Sequence, residues 1–171
     1  GLKMENELYK IYSNLKSNQS IGIDGISKQK LDEIIDDEIA IIKRKIENNS
    51  YEFSFYKQKL LVKSINKTRE ISIPTLRDKI VLRYLFNEIS NSFKDTLTTK
   101  LHANMIISEV IENRENFNAF IKVDIVNFFP SINHEILLDK LKTKIFDENI
   151  LNLITKAIKQ TTVDEKTSNK A

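Results

Sequence analysis

Two short runs rich in β-branched and apolar residues, LLVKSI at 60–65 and TREISI at 68–73, are separated by two residues and followed by Pro74. Such a pair closes as an antiparallel hairpin. Asn66-Lys67 is the expected turn, because Asn tolerates the left-handed backbone that a two-residue turn needs. Pro74 ends the second strand, since it has no N–H to give to a ladder. Thr75, with Asp78 three residues on, has the form of a capping box, so a helix is expected from there to about Phe93. One hairpin running straight into one helix is thus fixed before anything else.

The rest of the chain has little punctuation, with only three glycines and two prolines in 171 residues. Asp24-Gly25 reads as a turn. Ser27 caps a helix expected from Lys28 to Asn48, whose Leu31, Ile34, Ile35, Ile39, Ile42 and Ile46 follow helical spacing, with Lys43, Arg44 and Lys45 in its last turns. Asp36, Asp37 and Glu38 are assigned to the solvated face of that helix. Further helices are expected over 103–115, over 134–145 behind Asn133 and over 148–159 behind Asp147. AFIKVDI at 119–125 reads as an apolar strand, and the tail TTVDEKTSNKA as polar and loose. The order implies an α+β fold, mostly helical.

Several function classes fall away. The chain is 40% hydrophobic and 30% charged, which excludes a disordered tail or a collagen. No cysteine means no disulfide framework, no Cys-ligated zinc and no thiol nucleophile. His102 and His134 alone make no His-rich metal site, and no G-x-S-x-G elbow occurs. The absence of a long apolar run and of a signal-peptide core gives the expectation of a soluble, cytoplasmic protein without membrane contact.

Charge is unevenly placed. Between Lys57 and Arg83 lie eight basic residues, Lys57, Lys59, Lys63, Lys67, Arg69, Arg77, Lys79 and Arg83, against only Glu70 and Asp78, in a chain of net charge +3. A basic strip on a neutral body suits a phosphate-bearing partner; it also suits a merely solvated face. Lys67, Arg77, Lys79 and Arg83 are the candidates for nucleic-acid phosphate, with Lys79 and Arg83 four apart on one helix face. Lys63 and Arg69 flank the turn and can offer two cations to a triphosphate, or stand as edge charges. Tyr9, Tyr12, Tyr51, Phe53, Phe55 and Tyr56 suit base stacking and core packing equally well.

Asp124 closes the apolar strand and precedes Asn127, Phe128, Phe129 and Pro130. A carboxylate there needs a partner or a cation, and a hard cation beside substrate phosphates is what phosphoryl transfer requires. A turn-capping role is the alternative.

Taken together, GIDGIS (22–27), KSINKTREISIPTLRDKIV (63–81), FIKVDIVNFFPSI (120–132) and NHEILLDKL (133–141) resemble the N-terminal blocks of reverse transcriptases of the bacterial and group II intron type. The resemblance implies right-hand polymerase fingers and a partial palm, with an N-terminal extension and fingers over 1–118 and the start of the palm over 119–171. It implies an RNA-directed DNA polymerase acting on an RNA template, a DNA or RNA primer and dNTPs through two Mg²⁺ ions, or Mn²⁺. In that scheme Asp124 is the catalytic metal ligand and the Ile125 carbonyl completes one coordination sphere. Phe129 is the steric gate under the incoming sugar, and Phe128 faces the core. Lys63 and Arg69 grip the triphosphate, Arg69 also stacking on the base.

Asn66 stands where the family usually has Gly, and Lys79 where Arg is common. Neither a Pro-Gln-Gly block nor a Tyr-x-Asp-Asp motif occurs in the 171 residues. The chain is therefore expected to be the front of a longer enzyme and to be inactive alone, since one carboxylate cannot hold two metals in line. Two rival readings are a non-catalytic RNA-binding module and a template-independent nucleotidyltransferase of the phage-defence kind.

Overall fold

The computed structural model describes residues 2–64, 67–92, 138–139, 141–160 and 162–163. The expected helix at 103–115, strand at 119–125 and domain boundary after 118 lie outside these, as do Asn66, His102, Asp124, Ile125, Phe128, Phe129 and His134.

Four helices and three strands are described: α1 (Leu2–Ser13), α2 (Lys28–Glu47), β1 (Tyr56–Ser64), β2 (Lys67–Ile73), α3 (Leu76–Ser92), α4 (Glu148–Lys159) and β3 (Thr162–Val163). The chain is α+β and mostly helical, with an antiparallel hairpin. α1 has no counterpart among the expected elements. Met4, Leu8, Ile11 and Leu15 recur at helical spacing and all pack into or against the core. α2 starts as expected: the Ser27 hydroxyl accepts from the Lys30 N–H at 3.2 Å. It ends in a Schellman motif. Asn49 takes the left-handed position at φ 58°, and the Ser50 N–H donates to the Lys45 carbonyl at 2.8 Å. Asn does here what Gly does in most proteins. α4 is capped by Asp147, whose carboxylate accepts from the Asn149 N–H at 2.9 Å.

The hairpin departs from expectation at both ends. β1 starts four residues earlier, at Tyr56. Lys67 is a strand residue opposite Ser64 and not part of the turn, because the ladder shifts register between Val62 and Ser64. That irregularity absorbs one residue at Lys63 and moves the link to 65–66. A two-residue piece of the tail is also ordered: Thr162 and Val163 pair in parallel with Tyr56 and Lys57, giving the strand order β2-β1-β3.

α3 is the centre. Leu76, Ile80, Val81, Leu82, Tyr84 and Leu85 are all buried, so apolar residues face more than one side of this helix, as packing against several others requires. It packs against α1, α2 and α4. One core joins Leu8 and Ile11 of α1, Leu31, Ile39, Ile42 and Ile46 of α2, and Leu151, Leu153, Ile154 and Ile158 of α4. Each such side chain contributes about 1.5–3 kcal/mol on burial. Among the described residues, no helix is long and apolar enough to cross a membrane.

The GIDGIS block joins this bundle to the hairpin. A Cβ on Gly22 would lie 2.7 Å from the Thr75 N and Cα and 2.8 Å from the Pro74 carbonyl oxygen. The backbone just before α2 therefore lies directly on the backbone that opens α3. Asp24 accepts from the Ile26 N–H at 3.0 Å, and Gly25 turns the chain at φ +71° in open space. The two glycines should respond differently. Gly22→Ala meets backbone that cannot yield and should cost at least about 2 kcal/mol. Gly25→Ala meets only the left-handed penalty of about 1 kcal/mol. Urea unfolding of the two variants checks the order; equal costs would contradict the close approach.

Candidate functional site

The root of the hairpin is built by six residues, Pro74-Thr75-Leu76-Arg77-Asp78-Lys79. The Thr75 hydroxyl accepts from the Asp78 N–H at 3.1 Å, which starts α3. The reciprocal half of a capping box is replaced by something else: the Asp78 carboxylate faces away from its own helix. Successive helical residues point about 100° apart. Arg77, Asp78 and Lys79 therefore reach three different neighbours.

Arg77 reaches α2. Its guanidinium grips Glu38 with both nitrogens, Nη2 to Oε1 at 2.7 Å and Nε to Oε2. Glu38 is buried, and its grip holds the Arg77 pKa above the ordinary value. Removing one partner of a buried pair typically costs about 3–5 kcal/mol. The Arg77 side chain is 34% exposed, which places this pair at the lower end. The sequence reading put Glu38 on the solvated face; that is corrected. Its phase, seven after Leu31 and four before Ile42, sets it on the apolar stripe, where a carboxylate needs a cation. Asp36 stays exposed and accepts from the Tyr9 hydroxyl at 2.7 Å.

Asp78 reaches the segment that leads into β1. One oxygen accepts from the buried Tyr51 hydroxyl at 2.6 Å, the other from the Ser54 N–H at 2.9 Å. Burial pushes its pKa up to about 6, against hydrogen bonds from Tyr51, Ser54 and Thr75 and the nearby Arg77 charge. The same segment is held from its other side by α4. Tyr56 donates its hydroxyl to the Ala157 carbonyl at 3.0 Å, and the Lys156 ammonium donates to the Tyr51 carbonyl at 2.9 Å.

Lys79 reaches back to residues 19–20. Its ammonium donates to Gln19 Oε1 at 3.2 Å and to the Ser20 carbonyl at 3.3 Å. Only 7% of Lys79 is exposed, and burial, followed by the charge of Lys59, brings its pKa down to about 8. Of Lys79 and Arg83, expected to share one helix face toward phosphate, Lys79 is buried and Arg83 is half-buried. Both apolar contact along the lysine stem and hydrogen bonds at its head draw Lys79 inward.

The remaining candidate residues sort simply. Arg69 lies opposite Leu61 in the ladder, and Lys63, two residues further along β1, stands where the register shifts. Lys59 is exposed and Lys57 half-buried. Of the six aromatics left between stacking and core, Tyr51, Phe53 and Tyr56 are buried, Tyr9 and Tyr12 pack against the core, and Phe55 is 48% exposed. Tyr51 and Phe53 meet edge to face at 5.2 Å. Among the described residues, no group of three His, Cys, Asp or Glu could hold a metal ion.

Two effects compete at Asp78. Ionised, it serves both donors; neutral, it escapes the cost of a buried charge. The rise from 3.8 to about 6 corresponds to about 3 kcal/mol. A raised carboxyl pKa means the folded protein binds the proton more tightly than the unfolded chain does. This contribution is fully present below about pH 4 and is lost as pH rises through about 6. The unfolding free energy of the wild type minus that of Asp78→Asn should therefore rise by up to about 3 kcal/mol as pH falls from 7 to 4. Chemical denaturation across that range checks it; a flat difference would contradict the burial of Asp78.

No protein-family model matches the chain. It is similar to several curated proteins at low identity. It is 23% identical over 170 residues to protein YkfC of Escherichia coli K12, covering 92% of this chain and 45% of that protein. It is 26% identical over 154 residues to an uncharacterized 91 kDa protein in the cob intron of Schizosaccharomyces pombe, covering 86% and 19%. It is 25% identical over 172 residues to a putative COX1/OXI3 intron 1 protein of Saccharomyces cerevisiae, covering 96% and 21%. The chain spans less than half the length of each of these relatives.

Proposed function

We propose that the chain is the fingers and the beginning of the palm of an RNA-directed DNA polymerase of the group II intron type. One observation carries the reading. The GIDGIS block and the PTLRDK block, fifty residues apart in sequence, are packed backbone to backbone at the root of a basic hairpin. Two of the motifs that resemble reverse transcriptases are thereby parts of one device. Distant similarity to proteins named for their place in introns supports the same reading.

In this proposal the hairpin carries Lys63, Lys67 and Arg69 over the incoming dNTP and the template, with Arg69 stacking on the base. Asp124 and the Ile125 carbonyl would hold Mg²⁺, together with further carboxylates. Phe129 excludes a 2′-hydroxyl. Magnesium there would align the primer 3′-hydroxyl with the α-phosphate and neutralise charge as the bond to pyrophosphate breaks. Arg77 and Lys79 serve the hairpin root through Glu38, Gln19 and Ser20, and phosphate contact nearer the body is assigned to Arg83, Lys57 and Lys59.

Primer extension by the intact protein on an RNA template tests this. Asp124→Ala should abolish extension, by at least about 1,000-fold, with template binding retained. Lys63→Ala and Arg69→Ala should each raise the KM for dNTP about 10-fold or more, because each removes a charge-assisted contact to phosphate. Extension that survives Asp124→Ala would sink the assignment.

A further inference from the structure

We infer that Asp78 is a positioning residue that staples the two roots of the hairpin together and so sets where its cationic tip stands. This rests on the proposed role of the hairpin as the nucleotide-gripping element. A hairpin has two roots, the segment leading into β1 and the segment leaving β2. Asp78 is bonded to both. Its carboxylate accepts from Tyr51 and Ser54, which lead into β1. Its own N–H donates to Thr75, immediately after Pro74 and β2.

The surroundings leave the staple little play. Asp78 is 1% exposed, and Tyr51, Tyr56, Pro74 and Thr75 beside it are buried. The titratable groups facing it are Tyr51 and Tyr56 from the segment leading into and beginning β1 and the Arg77–Glu38 pair from α3 and α2. Thr75 is itself pressed on by Gly22, so the β2 root cannot retreat. α4 and β3 hold the β1 root from the far side.

Leverage makes the staple matter. From Tyr56 to Ser64 the strand has nine residues. At about 3.3 Å per residue the arm is about 26 Å long, so a tilt of about 5° at the root displaces the tip by about 2 Å. A displaced tip weakens the grip on the nucleotide and leaves the reacting groups in place, so the effect falls on KM. Asp78 touches no substrate in this scheme; it acts through the hairpin.

The absence of cysteine gives a clean test. Nitroxides are attached at Gln29→Cys on α2 and Thr68→Cys on β2 of the full chain, and their distance distribution is measured by pulsed electron paramagnetic resonance. With Asp78→Asn, which keeps one acceptor oxygen where Tyr51 and Ser54 use two, the distribution should broaden or shift by about 2 Å or more. Tyr51→Phe, which removes one donor only, should give a smaller change, and a retained circular-dichroism spectrum shows that each variant is folded. In the intact protein Asp78→Asn should raise the KM for dNTP about 10-fold, with kcat within about 3-fold of wild type. A distance distribution unchanged in both folded variants overturns the inference. So does a KM unchanged by Asp78→Asn while Lys63→Ala and Arg69→Ala raise it. If those two alanine variants leave KM unchanged, the nucleotide-gripping reading fails instead, and the distance measurement alone decides the positional claim.

Discussion

A carboxylate held in the interior by a tyrosine hydroxyl and a backbone N–H is the contact on which this arrangement turns. Asp78 sits in the first turn of α3, the helix around which the other three pack. Its partners, Tyr51 and Ser54, belong to the chain that becomes β1. The hairpin is thus joined to the bundle by a polar contact inside an apolar shell. Low local dielectric strengthens such a bond and makes its loss expensive. Apolar packing alone would hold the hairpin near the bundle; directional hydrogen bonds fix its angle.

The neighbours of Asp78 extend the principle. One helical turn presents a cation, an anion and a cation, and each leaves the helix in its own direction. Arg77 ties α3 to α2, Asp78 ties it to the β1 root, and Lys79 ties it to the residues before GIDGIS. Such a turn has the composition of a nucleic-acid contact and the geometry of a fastening. The proposed division of labour follows: charges at the base of the hairpin hold the protein together, and charges along it meet phosphate. The first group works in low dielectric; cations that meet phosphate add steering and salt-dependent affinity.

Much of this was legible in the residues. Ser27, Asp147 and Thr75 cap their helices as their side chains allow. The long α2 follows its isoleucine spacing to within a residue, and the hairpin forms where two β-rich runs meet a proline. What was hidden depends on distant partners. Glu38 lies on the apolar stripe, yet nothing local says that Arg77 will reach it. The turn slipped by one residue because an irregularity at Lys63 is a property of the pair of strands and not of either alone. In the sequence Gly22 stands out only as the first residue of the GIDGIS block; only the packed structure shows Thr75 where its side chain would be. Tyr51 and Phe55 have the same aromatic character in sequence, and burial alone separates them. For the candidate site, the resemblance to reverse transcriptases names Lys63, Arg69 and Asp124; Asp124 lies outside the described residues, and the structure adds the root of the hairpin that carries the other two.

Under the proposed function, the intact protein copies RNA into DNA. The most direct measurement is to sequence the DNA that it makes from dNTPs on a defined, mixed-sequence RNA template with a matched primer. The expected product is complementary to the template and extends from the primer 3′ end. Product unrelated to the template, or RNA bound tightly with no DNA made, would contradict it.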